Sequence, residues 1–290
     1  MIAIRSKPGE LAVPSLLVHP HPPDEYGCVL TVTPASAAWK YVGFRVYRLV
    51  PGQVVRGGEG GREACLVLLT GSADISVDGQ RFESVGGRAS VFGAAAPGAV
   101  YVPAGGQFSV EATDDVELAV CSAPGHTPRA PRVIEAADMP VQVRGTGTNT
   151  RYVRDILPQS VPGDSLLVVE VITPGGHWSS YPPHKHDTAI SGQETALEET
   201  YYHRFKAPQG FGFQRVYTDE RDLDESLCVH DGDVVMVPRG YHPVCAAHGY
   251  DLYYLNVMAG PHRAWVIHND PAHDWLLHDP GSPINSGALT

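Results

Sequence analysis

YPPHKHDTAISGQETALEETYYHR, residues 181–204, places His184 and His186 two apart behind a pair of prolines. Side chains two apart on an extended strand share a face, so both imidazoles point the same way. The same alternation in EETYYHRF puts Glu199, Tyr201, His203 and Phe205 on one face. Glu198, Thr200, Tyr202 and Arg204 fall on the other. Farther on, GDVVMVPRGYH brings His242 just past an apolar strand and a Pro-x-Gly turn. Three imidazoles and one carboxylate suit a borderline divalent metal such as Zn, Mn, Fe or Ni, with water filling the open positions.

The rest of the chain carries the same strand-and-turn character. Its 290 residues include 31 glycines and 25 prolines, which cut short apolar runs rich in aromatic and β-branched residues. That pattern favours an all-β fold with many turns. Asp78-Gly79 marks a hairpin between two such runs. APGHTPRAPR, Ala123 to Arg132, reads as a connector, so a first domain is expected over 1–130 and a second over 131–290. The halves echo each other. GAVYVPAGGQFSV in the first resembles GDVVMVPRGYHPV in the second, with Gln107 where His242 stands. Glu63 before ACLVLLTG resembles Glu199 before TYYHRF, but no His-x-His precedes it. The expectation is a duplicated β-barrel whose first copy has lost its ligands. The tail from Trp265 on reads as irregular.

Bulk properties exclude several partners. The formal charge is -11, which argues against nucleic acid, because phosphate binding needs a basic face. No run approaches the ~20 apolar residues of a membrane span, and MIAIRSKPGE lacks an apolar signal-peptide core. Cys28, Cys65, Cys121, Cys228 and Cys245 are scattered and odd in number, which fits a reducing cytoplasm.

HKH, a Glu ahead of an aromatic strand, and Pro-x-Gly followed by His together resemble the two motifs of the cupin superfamily. HKHDT, LEETYYHR, PQGFGFQRVYTDE, DGDVVMVPRGYHPV and GYDLYYLNVMAGP, taken in order, resemble the 5-deoxy-glucuronate isomerases of inositol catabolism. The resemblance is strong over about residues 160–268 and weaker over the first half. Those proteins share the long insert, here DTAISGQETALE, between His-x-His and Glu. The resemblance implies two tandem cupin barrels and one divalent metal, zinc foremost, held by His184, His186, Glu199 and His242. It also implies aldose–ketose isomerisation of 5-deoxy-D-glucuronate to 5-dehydro-2-deoxy-D-gluconate, with homo-oligomers common among such isomerases. The pectin-pathway ketol-isomerase acting on 4-deoxy-L-threo-5-hexosulose-uronate is the nearest rival. A metal-dependent dioxygenase and a non-catalytic sugar sensor or storage protein follow.

Such a reaction needs a general base near the metal and a cation for the substrate carboxylate. Tyr201 and His203 share the face of Glu199, and Glu198 joins them if the insert folds back. Among the basic residues Arg215 ranks first for the carboxylate, then Arg239 and Lys185, with Tyr241 beside His242. His177, His248, His262, His268, His273 and His278 are read as structural or surface residues, and Cys245 as a small buried one. TDERDLDES, Thr218 to Ser226, is read as a solvated loop.

Overall fold

The computed structural model describes residues 15–58 and 60–277. His278 and the N-terminal MIAIRSKPGE lie outside the described residues. Strands dominate, with one short helix at Pro34–Ala37 and a few 3-10 turns. No helix among the described residues is long and apolar enough to cross a membrane.

Two antiparallel barrels account for the strands. The main sheet of the first runs in the order Arg132–Ile134, Gly98–Val102, Arg62–Val77, Val116–Pro124, Gly43–Leu49, Cys28–Val32. The far half of the long Arg62–Val77 strand carries Gln80–Arg88 and Phe108–Ala112, which close the opposite wall. At the hairpin tip Asp78 and Gly79 both have positive φ, 48° and 84°, as the two-residue primed turn requires. The second barrel orders its main sheet Leu17–Val18, Val234–Val237, Glu198–Phe205, Leu252–Ala259, Leu166–Thr173, Arg151–Leu157, Gln142–Arg144. Its opposite wall is Trp178–Ser179, Val244–Ala246, Phe211–Tyr217 and Asp224–His230.

The pairing crosses the connector in both directions. Leu17 pairs with Val235, so a strand from the start of the chain edges the second barrel. Val133 pairs with Val100, so a strand beyond the connector edges the first. Each exchanged strand covers what would otherwise be an exposed row of backbone donors and acceptors.

The two main sheets pack against each other, which explains why the central strands are apolar at successive positions rather than alternate ones. Leu66 and Leu68 fill the first barrel, while Cys65, Val67 and Leu69 join the layer between barrels. In the second barrel Tyr201 points inward and Tyr202 joins the same shared layer with Val168, Met236, Leu255 and Val257. Each fully buried aliphatic side chain there contributes about 1.5–3 kcal/mol.

Two glutamates at the shared layer are satisfied reciprocally. Glu63 accepts from the backbone N–H groups of Asp164, Ser165 and Leu166 at 2.6–2.8 Å, and from the Tyr101 hydroxyl at 2.7 Å. Glu198 does the same in reverse, accepting from the N–H groups of Lys40, Tyr41 and Val42 at 2.8–2.9 Å. The register shifts the sequence echo by one residue. Val237 pairs with Glu199 and its counterpart Val102 pairs with Ala64. Glu63 is therefore the equivalent of Glu198, and Ala64 stands where Glu199 does. Gln107 keeps its place opposite His242.

Replacing Glu198 by alanine strands three N–H groups of the first barrel. Thermal melts should show a loss of about 2–3 kcal/mol, with metal binding unchanged when tested at a temperature where the variant is folded.

Candidate metal centre

The site is built where the Glu198–Phe205 strand enters the second barrel. Pro182 and Pro183 lead into the short strand His184–Lys185, which pairs with His268–Asn269. The insert that follows folds onto itself rather than separating the ligands. Ile190 and Glu194 close a tight loop. The Glu194 carboxylate accepts from the N–H groups of Asp187 and Thr188 at 2.8 and 3.0 Å. Leu197 N–H then donates to the His186 carbonyl at 2.9 Å, which returns the chain to Glu199.

Asp187 ties this loop to the third ligand. Its Oδ2 accepts from Gly240 N–H at 2.7 Å. Gly240 has φ +89°, and a Cβ there would lie 2.4 Å from the Tyr217 carbonyl, so only glycine fits the turn. The Gly240 carbonyl in turn accepts from Nδ1 of His242 at 2.8 Å. A carbonyl can only accept, so Nδ1 carries the proton and Nε2 presents its lone pair.

His186, Glu199 and His242 converge. Nε2 of His186 and Nε2 of His242 lie 3.1 and 3.2 Å from the same oxygen, Oε2 of Glu199. The three offer ligand atoms all within 4.8 Å of one another, and all three residues are buried. His184 lies beside this group, its ring centroid 5.0 Å from that of His242 and 6.5 Å from that of His186, but its nitrogens do not join the set within 4.8 Å. The other carboxylate oxygen, Oε1, accepts a hydrogen bond from Asn256 Nδ2.

The residues fit a cation. His242 Nε2 is buried and has no hydrogen-bond donor or acceptor partner, an expensive arrangement unless an ion completes it. Burial pushes His242 down to about 3, with Glu199 opposing and the neighbouring imidazoles adding to the fall. Burial, then His186 and Arg151, push His184 down to about 3. Both rings are thus neutral and free to ligate. Burial also disfavours the charged form of His186, but Glu199 overcomes it and raises His186 above its ordinary value.

A cavity of about 570 Å³ opens onto this group. His184, Glu199, Tyr201, Tyr254 and Asn256 lie along it, with Arg151 on its wall and Trp265 and Ile267 at the side. The tail read as irregular therefore helps to wall the site.

The remaining sequence candidates separate clearly. Tyr201 lines the cavity, its hydroxyl 2.9 Å from Ser180 Oγ, and burial followed by the Glu199 charge raises it well above the usual phenol value. His203 shares that face but lies deeper, with Nε2 3.0 Å from Gln214 Oε1. Glu198 points into the shared layer, as the period of two requires, and does not reach the site. Arg215 faces outward and is held by Asp224 at 2.7 Å. Gln214 and Val216 are the buried positions of that strand, so the inner face is the one opposite to Arg215. Arg239 sits in an exposed turn paired with Asp222 at 2.8 Å. Lys185 is claimed by Asp187 and Glu194 at 2.9 and 3.2 Å. Tyr241 donates to Asp219 at 2.9 Å and packs on Tyr217.

Sequence reasoning missed Asn256, Gln214 and Arg151. Asn256 could have been flagged as a lone polar residue inside the apolar run LYYLNVMA. Of the histidines read as structural, His177 is one: its Nδ1 lies 2.9 Å from the Thr150 carbonyl.

Tandem barrels with a histidine–carboxylate cluster inside one of them define a two-barrel cupin with a cluster able to hold a metal ion. An oxalate decarboxylase of Lactobacillus farciminis has this fold, with a TM-score of 0.63 at 15% identity over 93% of this chain and 94% of that one. The chain belongs to the KduI/IolB family, whose model matches residues 16–276. It is similar to the 5-deoxy-glucuronate isomerase of Geobacillus kaustophilus, 54% identical over 90% of this chain and 95% of that one. The Bacillus subtilis protein of that name is 45% identical over 85% and 91%. An IolB-like protein from Salmonella typhimurium superposes with a TM-score of 0.88 at 49% identity, covering 91% of this chain and 99% of that one.

Two outcomes follow from the geometry. Asn256→Ala removes the group that orients Glu199, and metal affinity measured by competition with a chromophoric chelator should fall about 10- to 100-fold. Burial pushes His203 down to about 4, against Gln214 and Asp233. Above pH 6.5 the ring is neutral folded and unfolded, so its stability contribution is complete. Below that the unfolded chain takes the proton first, and stability falls until the native ring titrates near 4, a loss of about 3 kcal/mol. Urea midpoints for His203→Gln should show a shallower decline over this window than those of the parent.

Proposed function

We propose that the chain isomerises 5-deoxy-D-glucuronate to 5-dehydro-2-deoxy-D-gluconate in myo-inositol catabolism. The agreement of relatives bearing that activity in their name, at 45–54% identity over most of both chains, carries this reading. A cavity sized for a six-carbon acid beside a cation-ready cluster supports it.

His184, His186, Glu199 and His242 are the proposed ligands of one divalent ion. The donor set suits zinc first, then manganese, iron or nickel. Such an ion supplies the charge that makes a carbon next to a carbonyl acidic enough to lose its proton. The protein's own part is to hold and dry the substrate. Asn256 fixes Glu199. Val153, Val171 and Trp265 line an apolar wall that limits water. Tyr201 keeps its proton and so donates a hydrogen bond to a substrate oxygen, with Ser180 as its partner. Of the base candidates read from sequence it is the one on the cavity.

On this reading the second barrel, from 131–290 with the edge strand Leu17–Val18 added and Arg132–Ile134 lent to the first, is the catalytic unit and the first barrel the scaffold, because among the described residues the one metal-type cluster lies in the second barrel. The first barrel has Ala64 and Gln107 where ligands would stand. A cytoplasmic setting is supported by the free thiols of Cys65 and Cys121, which lie opposite each other on paired strands. Trp178 and Phe213, both exposed and both paired with Cys245 from either side, supply adjacent apolar surface for a homo-oligomer.

Proton NMR of 5-deoxy-D-glucuronate with the protein in D2O tests the assignment. The 5-keto acid should appear, should be lost on chelation and should return with a divalent metal. A metal-loaded protein that leaves the substrate unchanged sinks it.

A further inference from the structure

We propose that Arg151 anchors the substrate carboxylate. The sugar acid then lies along the cavity with its acid end on the guanidinium and its carbonyl end toward His184 and Glu199. This rests on the activity proposed above and adds the residue that selects for an acid.

Arg151 opens the Arg151–Leu157 strand and lines the same cavity as His184, Glu199 and Tyr201. Its surroundings hold the guanidinium in place without neutralising it. Nη1 donates to the Asn149 carbonyl at 3.1 Å. Gly145, in the hairpin loop before the strand, leaves the space the guanidinium occupies: a Cβ there would come within 2.7 Å of Nη1 and 2.2 Å of the Asn149 carbonyl. Gly145 has φ +76°, so the loop is shaped for glycine on both counts. Among the described residues no carboxylate pairs with Arg151. Burial lowers its affinity for the proton, Arg144 adds to the fall, and only the phenols of Tyr254 and Tyr201 oppose.

Other arginines of the second barrel are already engaged. Arg204 bonds Glu117 and Asp231. Arg215 and Arg239 are held by Asp224 and Asp222. Arg144, also on the cavity, is shared with Asp155 at 3.3 Å. Arg263 is spent on backbone carbonyls of Leu157, Pro158, Val161 and Leu166. A half-buried guanidinium with most of its five donors open, facing a cavity, is a bidentate receptor for a carboxylate.

Arg151→Gln and Arg151→Lys, both metal-loaded and checked for metal content and melting temperature, decide the matter. For 5-deoxy-D-glucuronate the KM of Arg151→Gln should rise about 10- to 100-fold, with kcat within about threefold. Lysine keeps the charge but not the fork and should fall between. With 5-deoxy-D-glucose, which has no carboxylate, the parent and variants should differ by less than about twofold. D-glucuronate should raise the melting temperature of the parent and not of Arg151→Gln. An unchanged KM, or equal stabilisation by D-glucuronate, overturns the anchor. If the parent does not convert 5-deoxy-D-glucuronate, the activity reading falls and the D-glucuronate melts alone judge Arg151. If Arg151→Gln does not fold, the same comparisons are made with Arg151→Lys, whose unchanged KM overturns the anchor.

Discussion

Burial of the Glu198–Phe205 strand on both faces is the constraint on which the rest of the molecule depends. One face looks into the second barrel and the other into the layer shared with the first, so neither can be solvated. Two glutamates stand next to each other at its start, and the period of two sends them to opposite tasks. Glu199 meets two imidazoles inside. Glu198 crosses to the backbone of the first barrel. A carboxylate in either place is costly unless its partners are complete, and in both places they are supplied by elements remote in sequence: Asn256 and His242 for one, Lys40 to Val42 for the other.

The same logic explains why the long insert is harmless. Asp187 and Glu194 spend their charge on Lys185 and on backbone N–H groups of the loop and of the Pro-x-Gly turn. The loop thereby becomes a brace between the two ligand-bearing segments.

What could be read from the sequence follows from what is local. Strand alternation placed Tyr201 and His203 with Glu199, and the Pro-x-Gly turn placed His242 beside them. Glu198 followed the same parity, and its inclusion among the bases set that parity aside. Arg215 failed for a different reason. Its strand carries Phe211 and Phe213 on one face, which looks like the core side, but the buried side is Gly212, Gln214 and Val216. Gln214 is inside because it serves His203, a contact between strands that no single strand reveals. Arg151 was invisible because its meaning depends on the cavity and on the acids that do not reach it. The echo between the halves was real but misaligned by a residue, since Glu63 and Glu199 look alike in sequence while hydrogen-bond register equates Glu63 with Glu198.

The exchange of edge strands bears on how the molecule is made. Leu17 is made 218 residues ahead of its partner Val235. The first barrel can close as soon as Arg132–Ile134 has emerged, because that strand edges its own sheet. The segment around Leu17 must wait outside it, unpaired, until Val234–Val237 has been made. Completion of the second barrel thus waits for Val234–Val237, and a chain stopped before that strand would hold a closed first barrel beside an open second one.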